Sequence, residues 1–166
     1  MVAARNQIRR IMIRLAIYHP QIAQNSGTLL RLSSCLGVPV DLIRPFGFIF
    51  SDAKFKRAGM DYIETADYEI HDSFDLFLQK YSSRRIIAME ANDVSTAYND
   101  FQYREDDILI VGSEHSGFES KDLKKCSHCV KIPMLPNRRS LNMAVSAAII
   151  VSEAMTQLHL FPSLGK

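Results

Sequence analysis

The chain has 166 residues, a length that suits one domain with its own hydrophobic core. Apolar residues form 47% of the sequence and charged residues 23%, as in an ordinary globular protein. No run of about 18 apolar residues predicts a membrane span, and a net charge of +2 is too small to predict general nucleic-acid binding.

The cysteines and the N-terminal segment bear on the cellular compartment. Three cysteines are an odd number and too few for a disulfide framework, which favours a reducing cytoplasm. The basic N-terminal segment does not fit a secretory signal, because Arg14 interrupts its short apolar stretch. We expect residues 1–11 to form a flexible extension, residues 12–160 a single domain and residues 161–166 a C-terminal tail.

The first third of the chain alternates between apolar strand patterns and helix signals. Asn25 or Ser26 is a natural helix cap, and Gly37 is a natural helix end. The flanking elements, in chain order, are a strand over residues 11–18, a strand over residues 38–43, a loop at residues 45–48 and a short basic helix over residues 52–58.

The same alternation continues through the rest of the chain. Ser73 is a natural cap for the amphipathic segment that follows it, and Ser140 or Asn142 is a natural cap for the last helix. One side of that helix carries Leu141, Val145, Ala148, Ile149 and Ser152. The remaining elements are strands over residues 68–71, 85–89, 107–112 and 130–132 and a short helix over residues 119–125.

Strands that alternate with helices predict an α/β domain with a mostly parallel sheet flanked by helices. Ligands of such sheets bind in the crevice beyond the carboxyl ends of the strands. Three polar segments come after predicted strands, over residues 25–31, 112–117 and 133–142. We therefore expect a ligand site where these three segments meet.

Each of these segments, taken alone, has two interpretations. In NSGTLLR (residues 25–31), Asn25 and Arg31 either face a ligand or form a helix cap and a surface arginine. In GSEHSG (residues 112–117), two glycines allow close approach of a ligand or only a turn, and neither a Walker loop nor the dinucleotide fingerprint is present. In residues 133–142, a helix N-terminus attracts anions or polar ligand groups.

Charge and cysteine patterns give weaker signals. Residues 119–139 hold six basic and two acidic side chains, which indicates either phosphate contacts or a solvated basic face. Cys126 and Cys129 do not predict a zinc site, because no second Cys/His pair has suitable spacing. The pair also precedes a strand, unlike a thioredoxin-type motif. We expect neither a metal nor redox chemistry.

In this order, NSGTLLR, GSEHSG and IPMLPNRRSLN resemble the three motifs of the SPOUT class of RNA methyltransferases. The stretches YHPQIAQNSGTLLRL and IRPFGFIFSDAKFKRAGMDY narrow the resemblance to the TrmL-type subgroup, which methylates the ribose 2′-oxygen of the tRNA wobble nucleotide. The likeness covers residues 12–158, and FKRAGMDY (residues 55–62) is its most discriminating part.

The resemblance implies a C-terminal trefoil knot, which physical reasoning from sequence would not predict. It also implies a homodimer with its active sites at the subunit interface and with the first and last helices as interface elements. The implied cofactor is S-adenosylmethionine, and the implied partner is tRNA. Known substrates of the subgroup are a cytidine or modified uridine at the wobble position of leucine tRNAs.

Site residues carry over from the family by position. The implied cofactor site comprises Met89, Gly112, Glu114, Ile132, Ser140 and Leu141. The implied catalytic residues are Asn25, Arg31, Ser140 and Asn142, of which Asn142, together with Glu114, braces the knot and the active site. Contacts with RNA phosphates are expected from Lys54, Lys56, Arg57, Arg138 and Arg139.

The role of Arg31 stays open between two possibilities. The family assigns it the activation of the 2′-hydroxyl, but a charged guanidinium has no acceptor atom. We expect it instead to hold a phosphate and stabilise developing negative charge. Methyl transfer from a sulfonium needs no metal, because the sulfur loses its positive charge in the reaction.

Other functions remain as alternatives to the wobble reaction. A SPOUT enzyme acting on ribosomal RNA or on another tRNA position shares the same motifs, and a catalytically silent RNA-binding member shares the fold. A Rossmann-like binding module does not explain three motifs in this order. Ser113, Glu119 and Ser152 depart from the family pattern and leave the substrate preference open.

Overall fold

The structure is a computed structural model that describes residues 13–51 and 64–163. Three expectations therefore lie outside the described residues. They are the N-terminal extension, the short helix over residues 52–58 and the RNA contacts of Lys54, Lys56 and Arg57. The bounds of the predicted domain stay a prediction.

Seven strands and four helices form the described part of the chain. The strands are β1 (Arg14–Tyr18), β2 (Val40–Ile43), β3 (Tyr68–His71), β4 (Ile86–Met89), β5 (Thr96–Ala97), β6 (Ile108–Val111) and β7 (His128–Lys131). The helices are α1 (Ala23–Leu36), α2 (Phe74–Lys80), α3 (Ser120–Leu123) and α4 (Met143–Gln157). None of these helices is long and apolar enough to cross a membrane.

The strands form one sheet in the order β3-β2-β1-β6-β4-β7-β5. All pairings between these strands are parallel, with Leu15 of β1 opposite Val40 of β2 and Leu109 of β6. The predicted α/β class with a mostly parallel sheet is thus confirmed. The trefoil knot stays a prediction.

Both faces of the sheet are covered, as is usual for parallel sheets. Successive residues of β1 point to opposite faces: Leu15 and Ile17 join one hydrophobic cluster, while Ala16 and Tyr18 join the other. The first cluster includes buried residues of α1 and α4. The second includes Phe74 and Phe77 of α2. This explains why the central strands read as continuous apolar runs rather than as alternating patterns.

Three of the predicted helix ends are confirmed. Gly37 ends α1 in the left-handed region, with φ of 72°, where glycine has no steric penalty. The Ser73 side chain accepts a hydrogen bond from the Leu76 amide at the start of α2. Asn142, one of the two predicted caps of α4, accepts hydrogen bonds from the amides at the start of that helix.

The predicted cap of α1 is wrong. The helix begins at Ala23 with Ile22 as its N-cap, so that Asn25 and Ser26 lie inside it. Asn25 is 8% exposed, and its side chain hydrogen-bonds to distant parts of the chain instead of to the helix end. These tertiary contacts outweigh the intrinsic preference of asparagine for a cap.

Several strand bounds differ from expectation by one or two residues, such as the start of β2 at Val40, and one strand was not predicted. β7 spans His128–Lys131, two residues upstream of the predicted start. The short β5, Thr96–Ala97, was not predicted, because two residues carry no periodic pattern. It is held at the sheet edge by its pairing with β7, where Thr96 lies opposite Val130.

The last helix buries a different side from the one that carries Val145 and Ser152. Its buried residues are Ala144, Ala147, Ile150, Val151, Ala154 and Met155. Val145 is 48% exposed, Ser152 is exposed, and Ala148 and Ile149 are half-buried. Within this chain, α4 therefore presents an apolar strip to its surroundings.

Candidate active site

A cavity of about 670 Å³ lies at the carboxyl ends of the central strands. It lies where the chain leaves β4, β6 and β7, and the starts of α1 and α4 complete it. All six residues that the family resemblance assigns to the cofactor line this cavity, namely Met89, Gly112, Glu114, Ile132, Ser140 and Leu141. Asn25 and Asn142 line it as well.

Glu114 ties the loop after β6 to the start of α1. Its carboxylate accepts hydrogen bonds from the amides of Gln21 at 2.7 Å and Ile22 at 3.1 Å. It also accepts one from Nδ2 of Asn25 at 3.1 Å. A negative charge at a helix N-terminus is favourable, because the first amides of a helix lack partners within it. Three donors within the chain thus occupy the Glu114 carboxylate.

Asn25 and Asn142 extend this connection to α4. Nδ2 of Asn142 donates to Oδ1 of Asn25 at 3.0 Å. The oxygen Oδ1 of Asn142 accepts from the amides of Ala144 at 2.8 Å and Val145 at 3.3 Å. Both asparagines use a donor and an acceptor at once, which neither serine nor aspartate can do in the same geometry. The three motif segments therefore meet through one chain of hydrogen bonds.

The loop between Gly112 and Gly117 closes on itself. The amide of Ser113 donates to the carbonyl of Gly117 at 3.0 Å, and the Gly117 amide donates back to Ser113 at 2.8 Å. A Cβ at Gly112 would lie 2.8 Å from the carbonyl carbon of Gly117. Because that contact is with backbone, a side chain at position 112 would force the loop to move.

The segment after β7 forms the outer wall of the cavity. Ser140 and Leu141 line it, and within the described residues their amides donate no hydrogen bond. Arg139 also lines the cavity, whereas Arg138 does not. Both arginines are exposed. The wall thus offers two unused backbone donors and one cation.

Arg31 lies outside the cavity lining, on an exposed part of α1. The structure therefore places Asn25, but not Arg31, at the cavity of the same chain. Six residues of helix separate the two by about 9 Å along the axis and about 240° around it. This rotation turns Arg31 away from the ligand-facing side of α1.

Comparison with known proteins places the chain in a family. The model of the SpoU rRNA Methylase family matches residues 12–152. The chain belongs to this family. A relative from Beijerinckia indica, named tRNA (cytidine(34)-2'-O)-methyltransferase, is 43% identical over 87% of this chain and 91% of its own length.

Solved structures agree with this assignment. One solved structure comes from work on the 2-OH methylation of C/U34 on tRNA. Its chain is 39% identical in sequence to this one and superimposes with a TM-score of 0.82. The match covers 90% of this chain and 98% of that one. The SpoU methyltransferase AviRb from Streptomyces viridochromogenes, in complex with the cofactor AdoMet, has a TM-score of 0.80 over 93% of this chain and 60% of its own. At 19% identity, that likeness shows the fold alone.

The Cys126 thiol of this SpoU family member is half-buried. Burial raises its pKa to about 12, so that the thiol itself is a weak nucleophile near neutral pH. Its Sγ lies 3.8 Å from the carbonyl oxygen of Asp122.

Reasoning from the sequence missed several side chains that line the cavity, notably Glu90, Lys131 and Ser146. Glu90 directly follows β4, and Lys131 is the last residue of β7. The rule that ligands bind beyond the carboxyl ends of parallel strands was the available signal. It applies to any polar residue that follows a strand, so it did not single these two out.

Proposed function

We propose that this SpoU family member transfers a methyl group from S-adenosylmethionine to the ribose 2′-oxygen of nucleotide 34 of tRNA. The substrate is a cytidine or a modified uridine at this wobble position, in leucine isoacceptors. The main support is the Beijerinckia indica relative, which is named for this reaction and matches over 91% of its length. The meeting of the three motif segments around one cavity agrees with it.

The cavity fits the cofactor in size and chemistry. Its volume of about 670 Å³ lies within the range of about 300–1,000 Å³ that small-molecule sites occupy. Met89, Ile132 and Leu141 supply apolar walls, which suit an adenine ring, and the amides of Ser140 and Leu141 are available as donors. S-adenosylmethionine supplies an electrophilic methyl group on a positively charged sulfur.

The polar residues of the site serve mainly to position the reactants. Transfer of a methyl group is an in-line displacement, so alignment accounts for much of the rate enhancement. Glu114, Asn25 and Asn142 fix the loop after β6 against the starts of α1 and α4. Ser140, on the adjacent wall, faces the reacting groups. This arrangement holds the ribose and the methyl donor at a set distance and angle.

Arg31 acts on the nucleotide as a charged donor. Its guanidinium holds the neighbouring phosphate and stabilises the negative charge that develops on the 2′-oxygen. A guanidinium remains protonated in proteins and has no acceptor atom. A phosphate oxygen that Arg31 positions is therefore the preferred acceptor of the hydroxyl proton.

The protein acts as a homodimer with its active sites at the subunit interface. Two features of the chain support this arrangement. Arg31 lies outside the cavity of its own chain, and α4 exposes an apolar strip that includes Val145 and Ile149. A two-fold axis brings the same helix faces of two copies together. Such a dimer covers the strip and lets Arg31 of one subunit serve the cavity of the other.

Basic residues bind the tRNA backbone. Arg139 is exposed on the cavity wall, and its exposed neighbour Arg138 lies outside the lining. Lys54, Lys56 and Arg57 complete the proposed set. Phosphate contacts provide affinity and orientation rather than sequence choice. The reaction takes place in the cytoplasm, where the tRNA substrate is found.

Purified protein, radiolabelled S-adenosylmethionine and tRNA that lacks wobble ribose methylation provide the test. The expected label is on the 2′-oxygen of nucleotide 34, and it is lost in the Arg31→Ala variant. Ribosomal RNA is the parallel substrate. If only ribosomal RNA is labelled, the assignment of tRNA as the substrate is overturned. If the protein binds the cofactor but labels neither RNA, it is a catalytically silent RNA-binding protein.

A further inference from the structure

Two acidic side chains, Glu90 and Glu114, line the cavity among the described residues. They differ in their partners. The Glu114 carboxylate accepts three hydrogen bonds from the chain. The Glu90 carboxylate has no hydrogen bond and no ion pair within the described part of the chain. A half-buried charge without a partner is unusual, because desolvating it is costly.

The position of Glu90 is set by its own backbone. Its amide donates to the carbonyl of Val130 at 3.0 Å, and its carbonyl accepts from the hydroxyl of the buried Ser95 at 2.5 Å. The carboxylate oxygen Oε2 lies 3.0 Å from the place that a Cβ on Gly117 would occupy. Glu90 therefore lies between the end of β4 and the loop after β6.

The neighbours of Glu90 indicate which part of a ligand it meets. Met89 precedes Glu90 in the sequence and lies opposite Val130 of β7. Ile132 lies two residues after Val130, the residue whose carbonyl accepts from the Glu90 amide. Met89 and Ile132 form the apolar wall that suits adenine. A carboxylate directly beside an adenine wall, at the carboxyl end of a parallel strand, is well placed for the hydroxyl groups of a ribose.

We propose that the Glu90 carboxylate accepts hydrogen bonds from the 2′- and 3′-hydroxyls of the cofactor ribose. The proposal rests on the proposed function, because it takes the cavity to be the S-adenosylmethionine site. Two carboxylate oxygens match two adjacent hydroxyl donors. Glu114 has less acceptor capacity to spare, since three hydrogen bonds from the chain already use both of its oxygens.

The test measures calorimetric Kd values without RNA for three ligands: S-adenosylmethionine, S-adenosylhomocysteine and 5′-methylthioadenosine. All three contain the ribose, whereas the last lacks the amino-acid part and only the first is a sulfonium. Glu90→Gln should raise all three Kd values by about tenfold, as loss of a charged hydrogen-bond acceptor does. If Kd rises only for S-adenosylmethionine and S-adenosylhomocysteine, Glu90 contacts the ammonium group of the amino-acid part. If Kd rises only for S-adenosylmethionine, Glu90 contacts the sulfonium. Either result overturns the proposal.

A deoxy ligand sharpens the assignment. The 2′-deoxy form of 5′-methylthioadenosine should bind wild-type protein more weakly than the parent compound. In Glu90→Gln the two compounds should differ much less, because the acceptor for the hydroxyl is impaired. Equal discrimination in both proteins overturns the assignment to the ribose.

The controls distinguish the role of Glu90 from the broader proposal that the cavity binds S-adenosylmethionine. Glu119→Gln alters an exposed acid outside the cavity lining, which pairs with Lys121, and should leave every Kd unchanged. Thermal unfolding without ligand should show that Glu90→Gln is folded. If wild-type protein binds the ligands and Glu90→Gln binds them equally well, only the role of Glu90 fails. If wild-type protein binds none of them, the proposed cofactor fails as well.

Discussion

Asn142 donates a hydrogen bond from Nδ2 to Oδ1 of Asn25 at 3.0 Å, across 117 residues of sequence. Asn25 in turn donates to Glu114, 89 residues away. The start of α1, the loop after β6 and the start of α4 are thereby held together through side chains that also line the cavity. Formation of the site and docking of the last helix are therefore coupled.

Asn142→Asp tests the hydrogen bond to Asn25 separately from the capping of α4, because only the first of these needs the side-chain NH2 group. Aspartate still accepts from the first amides of the helix, but it places an acceptor opposite Oδ1 of Asn25. We expect the free energy of unfolding to fall by about 1–3 kcal/mol, the cost of leaving a buried polar group without a partner. Urea unfolding measures this change.

Asn137→Asp is the matched control for this substitution. Asn137 is exposed and lies in the same segment, outside the cavity lining, so the same chemical change should leave stability nearly unchanged. If Asn142→Asp were as stable as wild-type protein, the link between Asn142 and Asn25 would contribute nothing to the fold.

Gly112→Ala should damage the loop after β6. The added methyl group would lie 2.8 Å from the carbonyl carbon of Gly117, and backbone cannot yield as a flexible side chain does. Overpacking of this kind costs about 1–3 kcal/mol. We also expect weaker binding of S-adenosylhomocysteine, measured by calorimetry. Ser82→Ala, at an exposed position outside the cavity lining, is the control, and unchanged binding by Gly112→Ala would contradict the expectation.

Most of the sheet was predictable from the sequence, because its central strands are buried on both faces and read as apolar runs. The predicted bounds of an element were wrong where distant residues decide them. Asn25 is a residue type that commonly caps helices, yet it lies inside α1, because its hydrogen-bond partners are 89 and 117 residues away in sequence. No local pattern carries that information.

The place of the site was predictable to a similar extent. The rule of carboxyl strand ends selected the segments that meet at the cavity, and the family resemblance supplied positions such as Met89 and Ile132. Glu90 was missed, because its interest depends on its having no partner among the described residues and on its proximity to Gly117. Both are properties of the folded chain alone.

A heterodimer tests whether Arg31 serves the cavity of the other subunit. One subunit carries Arg31→Ala with an intact cavity, and its partner carries Gly112→Ala with an intact Arg31. If Arg31 acts across a two-fold interface, one of the two sites is complete, and the heterodimer should show about half of wild-type activity. Differently tagged subunits allow the heterodimer to be purified and assayed with tRNA.

The two parent homodimers are the controls for this experiment, and each should have little activity. A heterodimer as inactive as both parents would show that Arg31 acts in its own subunit. A chain that stayed monomeric at assay concentration would contradict the shared site more directly.

Arg139→Ala should weaken tRNA binding in a manner that depends on salt. Arg139 is exposed and lines the cavity, where it is placed to meet a phosphate. Loss of one phosphate contact should reduce the slope of log K against log salt by about 1. Filter binding at several salt concentrations gives this slope. Arg104→Ala, at an exposed site outside the cavity lining, should leave it unchanged, and an unaltered slope in Arg139→Ala would remove that contact from the proposal.

A buried polar cluster surrounds Asp41 of β2, which lies on the other side of β1 from β6. Asp41 has no exposed surface and accepts from two guanidinium nitrogens of Arg14, at 2.6 and 3.1 Å, and from the Tyr81 hydroxyl. Nε2 of His71 lies 2.7 Å from the same carboxylate. Burial alone would raise the pKa of Asp41, but the hydrogen bonds from His71 and Arg14 outweigh it and hold that pKa below its ordinary value of 3.8.

Asp41→Asn should therefore destabilise the protein most strongly near neutral pH. A carboxyl group whose pKa is lowered by folding stabilises the fold at every pH above its pKa in the unfolded chain. This stabilisation is lost as the pH falls through the pKa of the folded protein. Near neutral pH the substitution leaves Arg14 without its anion, which we expect to cost about 3–5 kcal/mol. The difference in the free energy of unfolding between the two proteins should shrink below about pH 4, the ordinary pKa of an aspartate.

Urea unfolding at a series of pH values measures this difference. Asp72→Asn is the control, because Asp72 is 82% exposed in its pair with Arg44. A difference that stayed constant with pH would mean that the charge of Asp41 does not stabilise the fold.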